Sequence, residues 1–193
     1  MTLSSYHQKY SNLSNGEIMN RVNEKREELK AILGEVVFET PNGPCRVAVL
    51  GCGDKRFVAA HKKLFEEFTH KPVTLTTFDI TTDHLAGEQG VIKYDCTLPL
   101  PDLPYDITYA HVLLKFIETE KQWELLKNSY DALIEHGIAI HVMDKEEVES
   151  KKQLLPNGQY AVPIKRWEER LLSQDIHFKV IQVKFGVALV LLK

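Results

Sequence analysis

The sequence predicts an α/β fold: a three-layer α/β/α domain whose seven-stranded, mostly parallel sheet ends in an antiparallel β-hairpin. Three observations carry this expectation. From residue 45 onward, apolar or β-branched runs alternate with segments of helical spacing, as strands joined by crossover helices do. The first run, "VAVL" at Val47 to Leu50, is apolar throughout, as a strand covered on both faces must be. The last two runs, "FKVIQVK" and "VALVLLK", are separated by a very short link containing Gly186, which calls for a hairpin.

The elements follow in order. Residues 1–15 are polar and read as a loosely structured arm carrying Tyr6, His7 and Tyr10. From Gly16 to Leu33, Ile18, Met19, Val22, Leu29 and Ile32 share one side of a helix that Gly34 can close. "TPNGP" at 40–44 marks a turn before the first strand. Gly51 and Gly53 end that strand, and Phe57, Ala60, Leu64, Phe65 and Phe68 form the stripe of a helix from Arg56 to His70. "VTLTTFDI" is the second strand and "VIKY" the third, running up to Asp95. The proline-studded "LPLPDLP" leads into the fourth, "YDITYA". "EKQWELLKNSYDALIEHG" is an amphipathic helix with Trp123, Leu126, Tyr130, Leu133 and Ile134 on one side and Gly137 as its stop. "IAIHVMD" is the fifth strand. A charged loop at 144–163 with the turn "PNGQ" and a helix at 164–174 precede the hairpin. The plan is five alternating β and α units plus the hairpin. It is expected to form one domain over 1–193, with an arm and helix at 1–40 and a core at 45–193.

Composition narrows the function classes. With 44% hydrophobic and 26% charged residues, the 193-residue chain has the make-up of a soluble globular protein. A net charge of −3 without a basic block gives no strong nucleic-acid signal, although a local basic face leaves RNA open. The three cysteines, Cys45, Cys52 and Cys96, are odd in number and lack CxxC spacing. Neither a disulfide framework nor a metal site is expected, and a reducing cytoplasm is. The first residues lack the apolar core of a signal peptide, and "VALVLL" is too short to cross a bilayer, so no membrane partner is expected.

The chemistry-bearing residues gather where strands end. Gly51 and Gly53 allow positive φ and remove side chains, so a ligand can approach the main chain. Asp79 ends the second strand and Asp95 follows the third; carboxylates there can accept hydrogen bonds from hydroxyls and amines, though Asp also favours turns. Ligands of open α/β sheets bind outside the carboxyl ends of the strands, where all of these residues fall. The nicotinamide fingerprint fails because Arg56 stands at its sixth position, and a Walker loop fails for want of Gly-Lys-Ser/Thr.

Leu50-Gly51-Cys52-Gly53-Asp54 resembles the first motif of the class I, Rossmann-like methyltransferases, which use S-adenosyl-L-methionine. Asp95-Cys96-Thr97-Leu98-Pro99, then Asp102, then Tyr105-Asp106-Ile107 resemble that family's passage into its fourth strand. The resemblance spans roughly residues 45–145 in order, and the terminal hairpin agrees with it. It implies methyl transfer from S-adenosyl-L-methionine to an acceptor that is a small molecule, a protein side chain or RNA. It also implies cofactor contacts by Gly51, Cys52, Gly53, Asp54, Asp79, Asp95, Thr97 and Tyr109: Asp79 to the ribose, with Asp83 as its neighbouring competitor, Asp95 to the adenine amine, Asp54 to the ammonium. Cys52 and Cys96 also read as small buried fillers.

Two departures stand out: Val49 replaces the family's acid before the first glycine, and Lys55 replaces a third glycine. They motivate an alternative, a non-catalytic methyltransferase-like binding or regulatory module. The fourth strand's end, "TYAHVLL", lacks the Asn/Asp-Pro-Pro-Tyr signature, which argues against adenine or glutamine amino groups as acceptors. His111 is the candidate base, with helix capping or pocket lining as its other reading. His141 and Asp144 are weaker candidates. Tyr6, His7, Tyr10 and the "PNGQY" turn are candidates to close over the pocket.

Overall fold

The computed structural model describes residues 5–39, 42–145, 148 and 158–193. Seven strands form one sheet: β1 (Cys45–Leu50), β2 (Val73–Asp79), β3 (Val91–Lys93), β4 (Tyr105–His111), β5 (Leu133–Asp144), β6 (His177–Val183) and β7 (Gly186–Leu192). Their spatial order is β3-β2-β1-β4-β5-β7-β6. β1 pairs in parallel with β2 and β4, β2 with β3, and β4 with β5, whereas β7 runs antiparallel to both β5 and β6. The strand order turns back between β1 and β4, and a crevice opens at such a switch point beyond the strand ends.

Alternation along the strands sorts the core into two clusters. Val47, Val49, Ile107, Tyr109, Ile138 and Ile140 pack with residues of α2 (Asn15–Glu35) and α3 (Arg56–Thr69). Ala48, Leu50, Ala110 and Ala139 pack with residues of α4 (Thr119–Asp131) and α5 (Ile164–Ser173). β1 and β4 contribute to both clusters, which explains why "VAVL" carries no polar residue. "SNGE" starts α2 as a capping box, in which the Ser14 hydroxyl accepts the Glu17 N–H (3.2 Å) and the Glu17 carboxylate accepts the Ser14 N–H (2.8 Å).

Four sequence expectations are corrected. The arm is not wholly loose, because Ser5–Ser11 form a short helix, α1. α4 ends at Asp131 rather than near Gly137, because Leu133 pairs with Tyr105 and begins β5. Gly137 is therefore no helix stop. A Cβ there would lie 3.0 Å from the Asp106 carbonyl oxygen of the neighbouring strand. The five β–α units also reduce to three, since among the described residues helices follow only β1, β4 and β5. A single 3-10 turn (Asp83–Leu85) lies between β2 and β3, and the proline-rich passage to β4 is irregular. Parts of the "TPNGP" and "PNGQY" turns lie outside the described residues. Among the described residues, no helix is long and apolar enough to cross a membrane.

Candidate functional site

The turn after β1 is held by its neighbours on both sides. Gly51 has φ +76°, its N–H donates to the Phe78 carbonyl (2.7 Å), and Leu113 lies so close that a Cβ would meet its Cδ1 at 2.8 Å. Positive φ and that contact together explain glycine here. The Cys52 N–H donates to Asp79 Oδ2 (2.8 Å), and the Thr81 N–H donates to Asp79 Oδ1 (2.9 Å). His84 Nε2–H donates to the Cys52 carbonyl (2.6 Å), and the His84 ring stacks on His7 with centroids 3.8 Å apart. Burial, then the neighbouring His84, lower the pKa of His7. Burial pushes the Cys52 thiol up to about 12, so it is a neutral filler of the turn.

Asp54 faces Arg56. Its Oδ1 accepts the Arg56 backbone N–H (2.9 Å) and Nε–H (2.8 Å), and its Oδ2 accepts Nη2–H (2.8 Å). Burial alone raises this carboxyl's pKa, but the Arg56 hydrogen bonds and charge outweigh it and hold the pKa below its usual value. The same guanidinium donates to the Leu13 and Tyr10 carbonyls, each at 2.9 Å, so it ties the N-terminal arm to the start of α3. Asp95, beyond β3, accepts the Thr97 N–H (3.0 Å) and hydroxyl (2.7 Å) through one oxygen. Asn128 of α4 anchors that loop by donating to the Thr97 carbonyl (2.8 Å).

At the end of β4, α2 lays charged side chains across the strand. His111 Nε2 lies 3.0 Å from Glu28 Oε2. Lys25 sits 5.4 Å above the Phe57 ring centroid and 5.9 Å from that of Tyr109. Burial lowers Lys25 to about 8 and raises Glu28. Burial first, then Lys25, pull His111 well below its ordinary value, leaving a neutral imidazole at pH 7. Tyr109 is buried edge-on to Phe65 and His61 of α3; its hydroxyl and both His61 ring nitrogens lack hydrogen-bond partners among the described residues. His141 points to the other face, where its Nε2 meets the Ser129 hydroxyl of α4 (2.8 Å). Asp144, at the end of β5, pairs with Lys115 (2.8 Å).

The structure thus joins Cys52 to Asp79 by a hydrogen bond and Gly51 to Phe78, the residue before Asp79, with Gly53 and Asp54 continuing the same turn. Tyr109 and His111 stand at the end of β4, and Asp95 with Thr97 forms its own turn beyond β3. Reading the sequence missed His84, Lys25 and Glu28. Lys25 had a signal: it follows Ile18 and Val22 and precedes Leu29 and Ile32 on the α2 stripe, so a charge occupies a core position.

No protein-family model matches the chain, and no curated protein matches it in sequence. Solved structures do match. The DhpI–SAM–HEP complex aligns over 100% of both chains with a TM-score of 0.64 at 15% identity. An S-adenosylmethionine-dependent methyltransferase from Clostridium acetobutylicum aligns over 96% of this chain and 97% of its own, with a TM-score of 0.63 at 10% identity. An O-methyltransferase family protein from Burkholderia thailandensis aligns over 77% of this chain, with a TM-score of 0.57 at 10% identity; the match spans only 51% of that protein. The chain has the class I, Rossmann-like methyltransferase fold.

Proposed function

We propose that the protein is an S-adenosyl-L-methionine-dependent methyltransferase, a single cytoplasmic domain of three α/β/α layers acting on an unidentified small molecule, protein side chain or RNA. The observation that carries this reading is the bonded set at the β1/β4 switch point. Gly51 and Gly53 carry no side chain there, and Asp79, fixed by two backbone N–H groups, retains a lone pair on Oδ2 for a ribose hydroxyl. Gly51, Cys52, Gly53 and Asp54 would hold the amino-acid end of the cofactor and Asp95 and Thr97 its adenine end, with Tyr109 beneath it. The cofactor supplies a sulfonium-bound methyl group. Its transfer to a lone pair of the acceptor would leave the carbon–sulfur electron pair on sulfur. Alignment of the two reactants supplies much of the rate. His111, neutral and held by Glu28, takes the acceptor's proton where the acceptor carries one.

Titration calorimetry with S-adenosylhomocysteine tests the reading. Micromolar binding that Asp79→Ala abolishes supports it, and no binding at millimolar ligand overturns it. A second reading, the non-catalytic module, is favoured by two contacts: Leu113 crowds Gly51, and Arg56 engages both oxygens of Asp54. Nucleoside copurifying with the protein separates cofactor use from that alternative.

A further inference from the structure

We infer that His7, Asp79 and His84 form a binding site for a borderline divalent metal ion of the zinc(II) class. One donor atom from each side chain lies within 4.8 Å of the other two. Cysteine spacing gave no hint of such a site. Its ligands come from α1, the end of β2 and the 3-10 turn after it.

His84 is prepared as a ligand. Its Nε2–H donates to the Cys52 carbonyl, an acceptor only, so Nδ1 carries the ring's lone pair. That Nδ1 is buried and has no hydrogen-bond partner among the described residues. A histidine whose second nitrogen donates to a backbone carbonyl is the usual supported form of a metal ligand, because the bond fixes both tautomer and ring orientation. Asp79 is supported in the same way: the Cys52 and Thr81 N–H groups fix its two oxygens, Oδ1 also accepts the Thr81 hydroxyl (3.5 Å), and Oδ2 retains a lone pair, for which a metal ion and the ribose of the proposed cofactor would compete. His7 is brought alongside by α1, which Arg56 ties to the core through the Tyr10 and Leu13 carbonyls.

The donor set selects the ion. Two imidazoles and one carboxylate suit zinc, cobalt or nickel, whereas magnesium and calcium prefer oxygen throughout. Three protein ligands leave a fourth position open to water or an exogenous ligand. The donor atoms of a tetrahedral zinc site stand roughly 3.3 Å apart, so binding requires the His7 ring to turn out of its 3.8 Å stack on His84, which the Cys52 carbonyl holds in place. The arm would then be pinned to the strand ends by coordination as well as by Arg56.

The test is titration of zinc chloride into the full chain after EDTA treatment and desalting. One ion per chain is expected, at micromolar affinity or tighter, weakened by more than about tenfold in both His7→Ala and His84→Ala. His177→Ala, on exposed β6, serves as control and should bind as the parent does. His7 sits on the arm, so its removal leaves the core intact, and circular dichroism of both variants confirms folding. Absence of binding at millimolar zinc overturns the site, as does parental affinity in either variant. Titration of S-adenosylhomocysteine in the presence of EDTA reads the methyltransferase proposal separately, so either can fail without the other.

Discussion

The Asp79 carboxylate accepts the Cys52 backbone N–H at 2.8 Å, and this bond fastens the end of β2 to the turn that leaves β1. Asp79→Ala removes the acceptor for both the Cys52 and the Thr81 N–H groups. Leaving buried donors unpaired costs about 1–3 kcal/mol, which a urea titration of parent and variant reads directly. Unchanged stability would mean that water replaces the carboxylate and that the bond does not organise the turn.

Gly51 is irreplaceable for two separable reasons. Its φ of +76° is strained for any L side chain, and a Cβ would meet Leu113 Cδ1 at 2.8 Å. Gly51→Ala is expected to cost about 1–2 kcal/mol for the backbone and a further 1–3 kcal/mol for the overlap. Adding Leu113→Ala relieves only the second part. A double-mutant cycle should therefore show a coupling of about 0.5–3 kcal/mol, with the backbone cost remaining. A cycle with no coupling would place the whole cost in the backbone.

The fold was legible because strand burial writes itself into composition: "VAVL" and "VALVLLK" carry no polar interruption until they leave the sheet. Boundaries were less legible. Leu133 and Ile134 continue the helical stripe of α4, yet they serve β5, because pairing of Leu133 with Tyr105 overrides local spacing. Asp79 and the glycines could be placed by their position after a strand. His84 and Glu28 could not, since the groups they meet, Cys52 and His111, are respectively 32 and 83 residues away in the chain. Contacts of that range leave no periodic trace.

His141 makes the fold acid-sensitive. Burial lowers it to about 3, with Nε2 on the Ser129 hydroxyl and Nδ1 unpartnered among the described residues. Between its ordinary value near 6.5 and about 3, the unfolded chain binds one proton more than the folded chain. Stability therefore falls as pH is lowered through that window, by about 1.4 kcal/mol per pH unit from this group alone. His141→Asn removes the titration. Urea midpoints between pH 6.5 and 4 should decline less steeply in the variant, and parallel declines would show that His141 is not the proton acceptor.

Lys25 acts at the other end of the scale. Its pKa of about 8 lies below the ordinary 10.5, so the folded chain binds the extra proton less tightly than the unfolded chain. Below pH 8 both forms are charged and the full burial cost, about 3 kcal/mol, is present; it is relieved as pH rises toward 10.5. Lys25→Met should stabilise the protein at pH 7 by about 1–3 kcal/mol, the loss of the Glu28 attraction offsetting part of the gain. That advantage should shrink between pH 8 and 10. An advantage independent of pH would assign it to better apolar packing alone.

The sharpest test of the chemistry falls on His111. An imidazole with its ordinary pKa would give a turnover that climbs through neutrality, since only the neutral ring accepts a proton. Here burial and Lys25 keep the ring neutral well below that range, with Glu28 Oε2 3.0 Å from Nε2 to hold it in one orientation. Turnover attributable to His111 should therefore be flat from neutral pH upward, with its limb displaced toward acid. His111→Ala should lower turnover by about 10²- to 10⁴-fold while S-adenosylhomocysteine affinity stays near the parent's. Glu28→Ala should leave the base present but unheld: a smaller loss of turnover, with the acid limb moved because the neighbouring carboxyl is gone. Turnover and S-adenosylhomocysteine affinity falling together in His111→Ala would make the ring part of the cofactor pocket. Undiminished turnover with intact affinity would end its case as the base.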